Sequence, residues 1–154
     1  MEWADLARVA LRWAHAVAAL LWVGGSLFLF LVYRPAVRVL PEGVRPLLEK
    51  AVRRRFRELV NTAIVVLLVS GVALTFDRLS SPAATTPYVL VLGAKVVLAL
   101  LAFYLALELG GGRRLTLRLG RHTLGAPEFI LAIGLGIYLL VAALRVLYER
   151  GLAP

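Results

Sequence analysis

The sequence contains no cysteine, and its single methionine is Met1. The absence of cysteine excludes disulfide bonds, iron–sulfur clusters and thiolate-bound metal ions. Acidic residues are also scarce, with 9 Asp and Glu against 18 Lys and Arg, so the formal net charge is +9. The chain is strongly apolar, with 61% hydrophobic residues, whereas soluble domains contain about 45–50%. This composition is typical of a membrane protein.

The apolar residues form four long runs, which predict transmembrane helices over residues 8–33, 57–77, 87–109 and 125–147. A helix needs about 20 residues to cross about 30 Å of hydrocarbon, and each run reaches that length. The first run is too long for the apolar part of a signal peptide, so we expect a retained helix. We therefore predict an all-α, polytopic four-transmembrane-helix bundle that forms a single domain over residues 1–154.

The basic residues are distributed unevenly between the two sides of the predicted helices. Twelve Lys and Arg lie in the first and third loops, whereas five lie near the termini and in the second loop. Cytoplasmic loops carry an excess of Lys and Arg. The bias therefore predicts a multi-pass plasma (inner) membrane protein with both termini outside. Because the positive charge reports topology, we expect no nucleic-acid partner.

Residues 43–57 of the first loop have the pattern of a basic amphipathic helix, with apolar residues at helical spacing and arginines on the other face. This segment is expected either to lie on the cytoplasmic membrane surface or to extend the second transmembrane helix. Anionic lipid is its expected partner, bound at Arg53, Arg54 and Arg55. The alternative is a solvated helix that only fixes the topology.

Two ionisable side chains, His15 and Lys95, fall inside the predicted transmembrane helices. Ionisable groups are costly in a bilayer and are candidates for function by default. Arg8 and Arg12 precede His15 at helical spacing, so the three side chains share one face of the first helix. The alternative interpretation is a packing histidine and a lysine whose long stem reaches the outer membrane interface.

An internal similarity relates the first and third predicted helices. Residues 14–23 and 94–103 are identical at five of ten aligned positions, and the alignment pairs His15 with Lys95. We therefore expect these two side chains to share a pocket near the outer leaflet, with the two arginines above it. A pocket of this charge favours an anionic group, such as a porphyrin propionate, a lipid phosphate or a quinone-like oxygen.

Haem b is the cofactor that this residue set favours, with His15 as the metal ligand. His15 is the only imidazole inside the predicted helices, so the other face of the iron would take Lys95, water or a second chain. Copper is less favoured, because Cu(I) prefers Cys and Met ligands and the predicted helices contain neither.

Three segments of the chain resemble known membrane proteins. Residues 11–40, LRWAHAVAALLWVGGSLFLFLVYRPAVRVL, resemble the first helix of the copper-resistance D (CopD-like) family. Residues 53–74, RRRFRELVNTAIVVLLVSGVAL, and residues 94–107, AKVVLALLAFYLAL, are similar to its second helix and its lysine-bearing third helix. More distantly, the chain resembles the HemJ-type protoporphyrinogen oxidases. In that group a histidine of the first helix and a lysine of the third are implicated in haem binding, and His15 and Lys95 match them.

The sequence thus leaves three interpretations open. The first is a membrane protein that holds a haem or porphyrin for redox or cofactor handling. The second is a copper transport or copper-resistance protein, as the CopD-like resemblance implies. The third is a non-catalytic accessory subunit of a larger membrane complex. Homo-oligomerisation is compatible with all three.

Overall fold

The computed structural model describes residues 3–81, 85–110, 116–119 and 122–151. The elements in chain order are α1 (Trp3–Phe28), a π-helical turn (Leu29–Tyr33), α2 (Arg34–Val37), α3 (Arg45–Leu79), α4 (Thr86–Gly110), β1 (Thr116–Leu119), β2 (His122–Gly125) and α5 (Ala126–Gly151). Internal contacts divide the chain into two compact units, Met1–Ser70 and Gly71–Pro154.

Four helical stretches are long and apolar enough to cross a membrane. They are Trp3–Val37, Arg45–Leu79, Thr86–Glu108 and Phe129–Arg150. Only 17% to 28% of the residues in their most apolar windows are buried inside the protein, and large apolar side chains such as Val69 and Leu139 are 66% and 74% exposed. Water-soluble monomers rarely expose so much contiguous apolar surface. The predicted all-α class with four membrane-spanning helices is therefore confirmed.

The first helical stretch continues through Pro35, beyond the predicted end at residue 33. A proline inside a helix has no N–H to donate, and its ring clashes with the carbonyl four residues earlier. Here the backbone widens just before the ring, because the Arg34 N–H bonds to the Leu29 carbonyl five residues back. This π-helical turn accommodates the proline, and the helix ends only after Val37.

The predicted basic segment and the second transmembrane helix form one element, the 35-residue helix α3. The segment therefore extends the second helix and is not a separate surface helix. At 1.5 Å per residue α3 is about 52 Å long, well beyond the roughly 30 Å of hydrocarbon. Ion pairs at i, i+4 support its N-terminal part, with Arg45 3.0 Å from Glu49 and Arg54 3.2 Å from Glu58.

Helices α1 and α3 run antiparallel in the first unit. His15, in the middle of α1, meets Ser70 in the C-terminal half of α3, and Gly25, near the end of α1, meets Phe56 in the N-terminal half of α3. The buried residues of α3 recur at helical spacing along one face: Val60, Ala63, Ile64, Leu67 and Ser70. The opposite face carries exposed apolar side chains such as Val65, as expected where a helix faces lipid.

The second unit is built on the antiparallel pair α4 and α5, which pack closely against each other. Its core contains Tyr88, Leu92 and Leu144, with Tyr148 packed against them. The Arg78 guanidinium lies 4.3 Å from the centroid of the Tyr148 ring, and the Tyr88 and Tyr148 ring centroids are 6.0 Å apart. This cluster joins the end of α3 to the α4–α5 pair.

Helix α4 ends at Gly110, one residue beyond the predicted end of the third span at residue 109. A short antiparallel hairpin follows, with Thr116 opposite Gly125 and Leu119 opposite His122. The sequence analysis did not predict this hairpin, because each strand has only four residues. Arg113, Arg114 and Arg121, which contributed to the charge count of the third loop, lie outside the described residues.

Candidate functional site

The strongest candidate site lies between α1 and α3, where His15 meets Ser70. The His15 Nδ1 atom is 2.7 Å from the Ser70 Oγ atom, across 55 residues of sequence. Ser70 is 2% exposed and is the only buried polar or charged residue in the part of the chain that the structure describes. His15 itself is half-buried. The two helices are therefore joined by a polar contact inside an otherwise apolar interface.

The direction of this hydrogen bond follows from a proton count. The Ser70 hydroxyl also contacts the carbonyl oxygen of Val66, one turn earlier in α3, at 2.5 Å. A hydroxyl has one proton and two acceptor lone pairs, and a carbonyl can only accept. Ser70 therefore donates to Val66 and accepts from the Nδ1–H of His15. A neutral His15 is thereby held in the Nδ1–H tautomer, with its lone pair on Nε2.

This arrangement has a recognised chemical consequence. Histidines that bind metal through one ring nitrogen almost always donate their other N–H to an oxygen, which fixes the ring orientation and raises the basicity of the ligating nitrogen. The chain from Val66 through Ser70 to His15 supplies such a donor–acceptor sequence. In the neutral ring Nε2 is therefore the nitrogen that carries the lone pair which a metal ligand uses.

The two arginines predicted beside His15 lie on its N-terminal side. Arg12 and Arg8 precede His15 by about 4.5 Å and about 10.5 Å along the helix axis, and both are exposed. Arg8 also pairs with Asp5, with 3.7 Å between Nη1 and Oδ1. Trp13, which is 72% exposed, lies at the same level, as expected for an aromatic side chain at the membrane interface. Cationic groups are therefore available at this end of the helix.

Lys95 lies on α4 in the second unit, about 14 Å from the start of that helix, and is half-buried. It follows Tyr88 and Leu92 by seven and three residues, so it shares the face of α4 that packs against α5. No hydrogen bond or ion pair connects Lys95 with any residue that the structure describes. The shared pocket with His15 stays a prediction.

A bare metal ion and a macrocycle need different numbers of ligands from the protein. Within the described residues, no group of three or more His, Cys, Asp or Glu side chains could hold an ion by itself. A haem needs from the protein only one or two axial ligands, because the porphyrin supplies four nitrogens to its iron. A single oriented imidazole meets that need.

Ser70 was missed by the sequence analysis. It was counted as part of an apolar run, in the segment LLVSGVAL. The available signal was a serine among apolar residues near the middle of a transmembrane helix. Its partner could not be identified, because the contact depends on the rotation of two helices about their axes.

Comparison of the chain with family models finds no match, and no curated protein or solved structure matches it either. The resemblance to CopD-like and HemJ-type proteins therefore rests on the segments quoted above. The functional argument rests on the site itself.

Proposed function

We propose that this chain is a small multi-pass membrane protein that binds haem, or a related porphyrin, near the outer leaflet, for redox or cofactor handling. The carrying observation is the hydrogen-bond chain from His15 through Ser70 to Val66. It supports His15 as the axial ligand, since the lone pair of the neutral ring lies on Nε2. The CopD-like and HemJ-type resemblance supports the same residue.

The other predicted site residues have distinct roles in this proposal. Arg12 and Arg8 would attract the anionic propionates, because they stand on the side of His15 where the helix approaches the headgroups. A role for Lys95 as a second ligand stays a prediction from the sequence. When bound, haem supplies an iron centre whose reduction potential depends on its axial ligands and on their hydrogen bonds. In this chain Ser70 is the residue that holds such a bond.

The test is the absorption spectrum of the detergent-purified protein, before and after incubation with haemin. The wild type should show a Soret band, and His15→Ala should abolish the axial ligation. Ser70→Ala keeps the His15 imidazole but removes the Ser70 oxygen that accepts its Nδ1–H. It should therefore weaken haem binding by about 10- to 100-fold, the usual effect of losing an orienting hydrogen bond, and should shift the spectrum.

Two matched variants control for unspecific effects. His122→Ala removes the only other histidine, and Ser80→Ala removes a hydroxyl, just beyond the end of α3, that donates to the Phe76 carbonyl. Both should leave the Soret band unchanged. A wild-type protein that takes up no haem would overturn the proposal. Copper retained in stoichiometric amount would then favour copper handling, and co-purification with a larger membrane complex would favour an accessory subunit.

A further inference from the structure

An apolar groove lies between the C-terminal part of α1 and the N-terminal part of α3. Its volume is about 540 Å³, and Arg55 is the only charged residue among those that line it. The walls are apolar, with Gly25, Phe28, Leu29, Val52, Phe56 and Leu59 among them. Ligand sites commonly occupy about 300–1,000 Å³, so the groove is large enough for part of a small amphiphile.

The floor of the groove is a close contact between the two helices. A Cβ atom on Gly25 would lie only 2.9 Å from Cε2 of Phe56, so the aromatic ring lies against the glycine backbone. Along α3 the lining runs from Ala51 to Leu59, and Arg55 lies near its middle with apolar residues on both sides.

The mouth of the groove carries excess positive charge. Residues 53–58 contain four arginines and one glutamate. Glu58 is shared, since it lies 3.2 Å from Arg54 and 3.5 Å from Arg55. One carboxylate cannot neutralise two guanidinium groups. The Arg55 side chain is also 87% exposed, so its guanidinium is accessible to an anion from outside the protein.

We propose that this groove is a binding site for one anionic phospholipid, with an acyl chain against the apolar walls and the phosphate at Arg55. The composition of the groove matches that of a lipid, because one exposed cation stands beside walls that are otherwise apolar. The sequence analysis did not distinguish Arg53, Arg54 and Arg55 as lipid-binding residues. In the structure Arg55 is the one of the three that lines the groove. The proposal is independent of haem, since Gly25 lies about 15 Å beyond His15 along α1.

The first test compares the retention of phosphatidylglycerol and phosphatidylcholine with identical acyl chains, measured by native mass spectrometry of the delipidated protein in detergent. Wild type should retain phosphatidylglycerol preferentially. Arg55→Gln should weaken that retention about fivefold, as expected for one cation near an anionic lipid. The matched variant Arg53→Gln removes the same charge outside the groove and should change retention by less than about twofold at physiological salt, where exposed charges are screened. Glu58→Gln should strengthen retention, because it frees both arginines.

The second test fills the groove without changing any charge. Val52→Trp should reduce retention of both lipids, whereas Val65→Trp, at a position that is 60% exposed on the same helix, should not. Glycerol 3-phosphate, which carries the anion without a chain, should not compete with phosphatidylglycerol. Equal effects of Arg55→Gln and Arg53→Gln, undiminished retention by Val52→Trp, or competition by glycerol 3-phosphate would each overturn the proposal. Helical circular dichroism and a monodisperse elution profile establish that the variants are folded.

Discussion

The contact between Gly25 and Phe56 allows a sharp test of helix packing, because the neighbouring Gly24 provides a matched control. A methyl group at position 25 would lie 2.9 Å from Phe56 Cε2. Carbon atoms prefer separations of at least about 3.5 Å, so the ring would have to move by about 0.6 Å. At position 24 the nearest atom is Leu20 Cδ1 at 3.9 Å, an ordinary contact.

We expect Gly25→Ala to be less stable than Gly24→Ala by about 1–3 kcal/mol, the usual cost of overpacking. Both substitutions replace glycine by alanine inside the same helix, and each gains about 1 kcal/mol of helix propensity. That gain cancels in the difference between the two variants, which therefore measures the steric contact alone. Gly24→Ala by itself should be neutral or slightly stabilising.

The assay is equilibrium unfolding in mixed detergent, followed by circular dichroism. A Phe56→Leu substitution in the Gly25→Ala background should recover part of the loss, because the two positions are in contact and their effects are coupled. If the two alanine variants unfold with free energies within about 0.5 kcal/mol of each other, the close approach of α1 and α3 at Gly25 is wrong.

Two further predictions concern topology and the second unit. The chain has no cysteine, so single cysteines can be introduced at Gly43, where a side chain would meet nothing within 4 Å, and at exposed Thr85. The two cysteines should react with impermeant maleimide from opposite faces of the membrane. Labelling from the same face would contradict the positive-inside assignment. Arg78→Gln should lower the free energy of unfolding by about 0.5–2 kcal/mol, because the cation–π contact with Tyr148 is lost. Tyr148→Phe keeps the ring and should be nearly neutral, so equal losses in the two variants would argue against that contact.

Part of the candidate site could be predicted from the sequence, because it depends on the geometry of a single helix. The spacing of Arg8, Arg12 and His15 places them on one face wherever the helix lies. The same reasoning singled out Lys95, since an ionisable group inside an apolar run is visible without any tertiary contact. The partner of His15 was not predictable, because Ser70 is 55 residues away.

The boundaries of the helices also show which features follow from a single segment and which follow from the three-dimensional structure. Helix α4, from Thr86 to Gly110, begins and ends within one residue of the predicted span of 87–109, since the apolar run that predicts it is a local property. The first span was predicted to end at residue 33, but the π-helical turn allows the helix to continue through Pro35 to Val37. The basic segment and the second span were predicted as alternatives, a surface helix or an extension, and the structure joined them in α3.

The sequence by itself determined that the chain is all-α and has four membrane-spanning helices, because length and hydropathy are properties of each segment alone. It could also assign the excess of basic residues to two loops. The tertiary structure decided which polar group bonds to His15, which of two adjacent glycines contacts the Phe56 ring, and which of three adjacent arginines lines a groove. These outcomes depend on the rotation of each helix about its axis and on the distance between helices. Both are set by contacts between residues far apart in the chain.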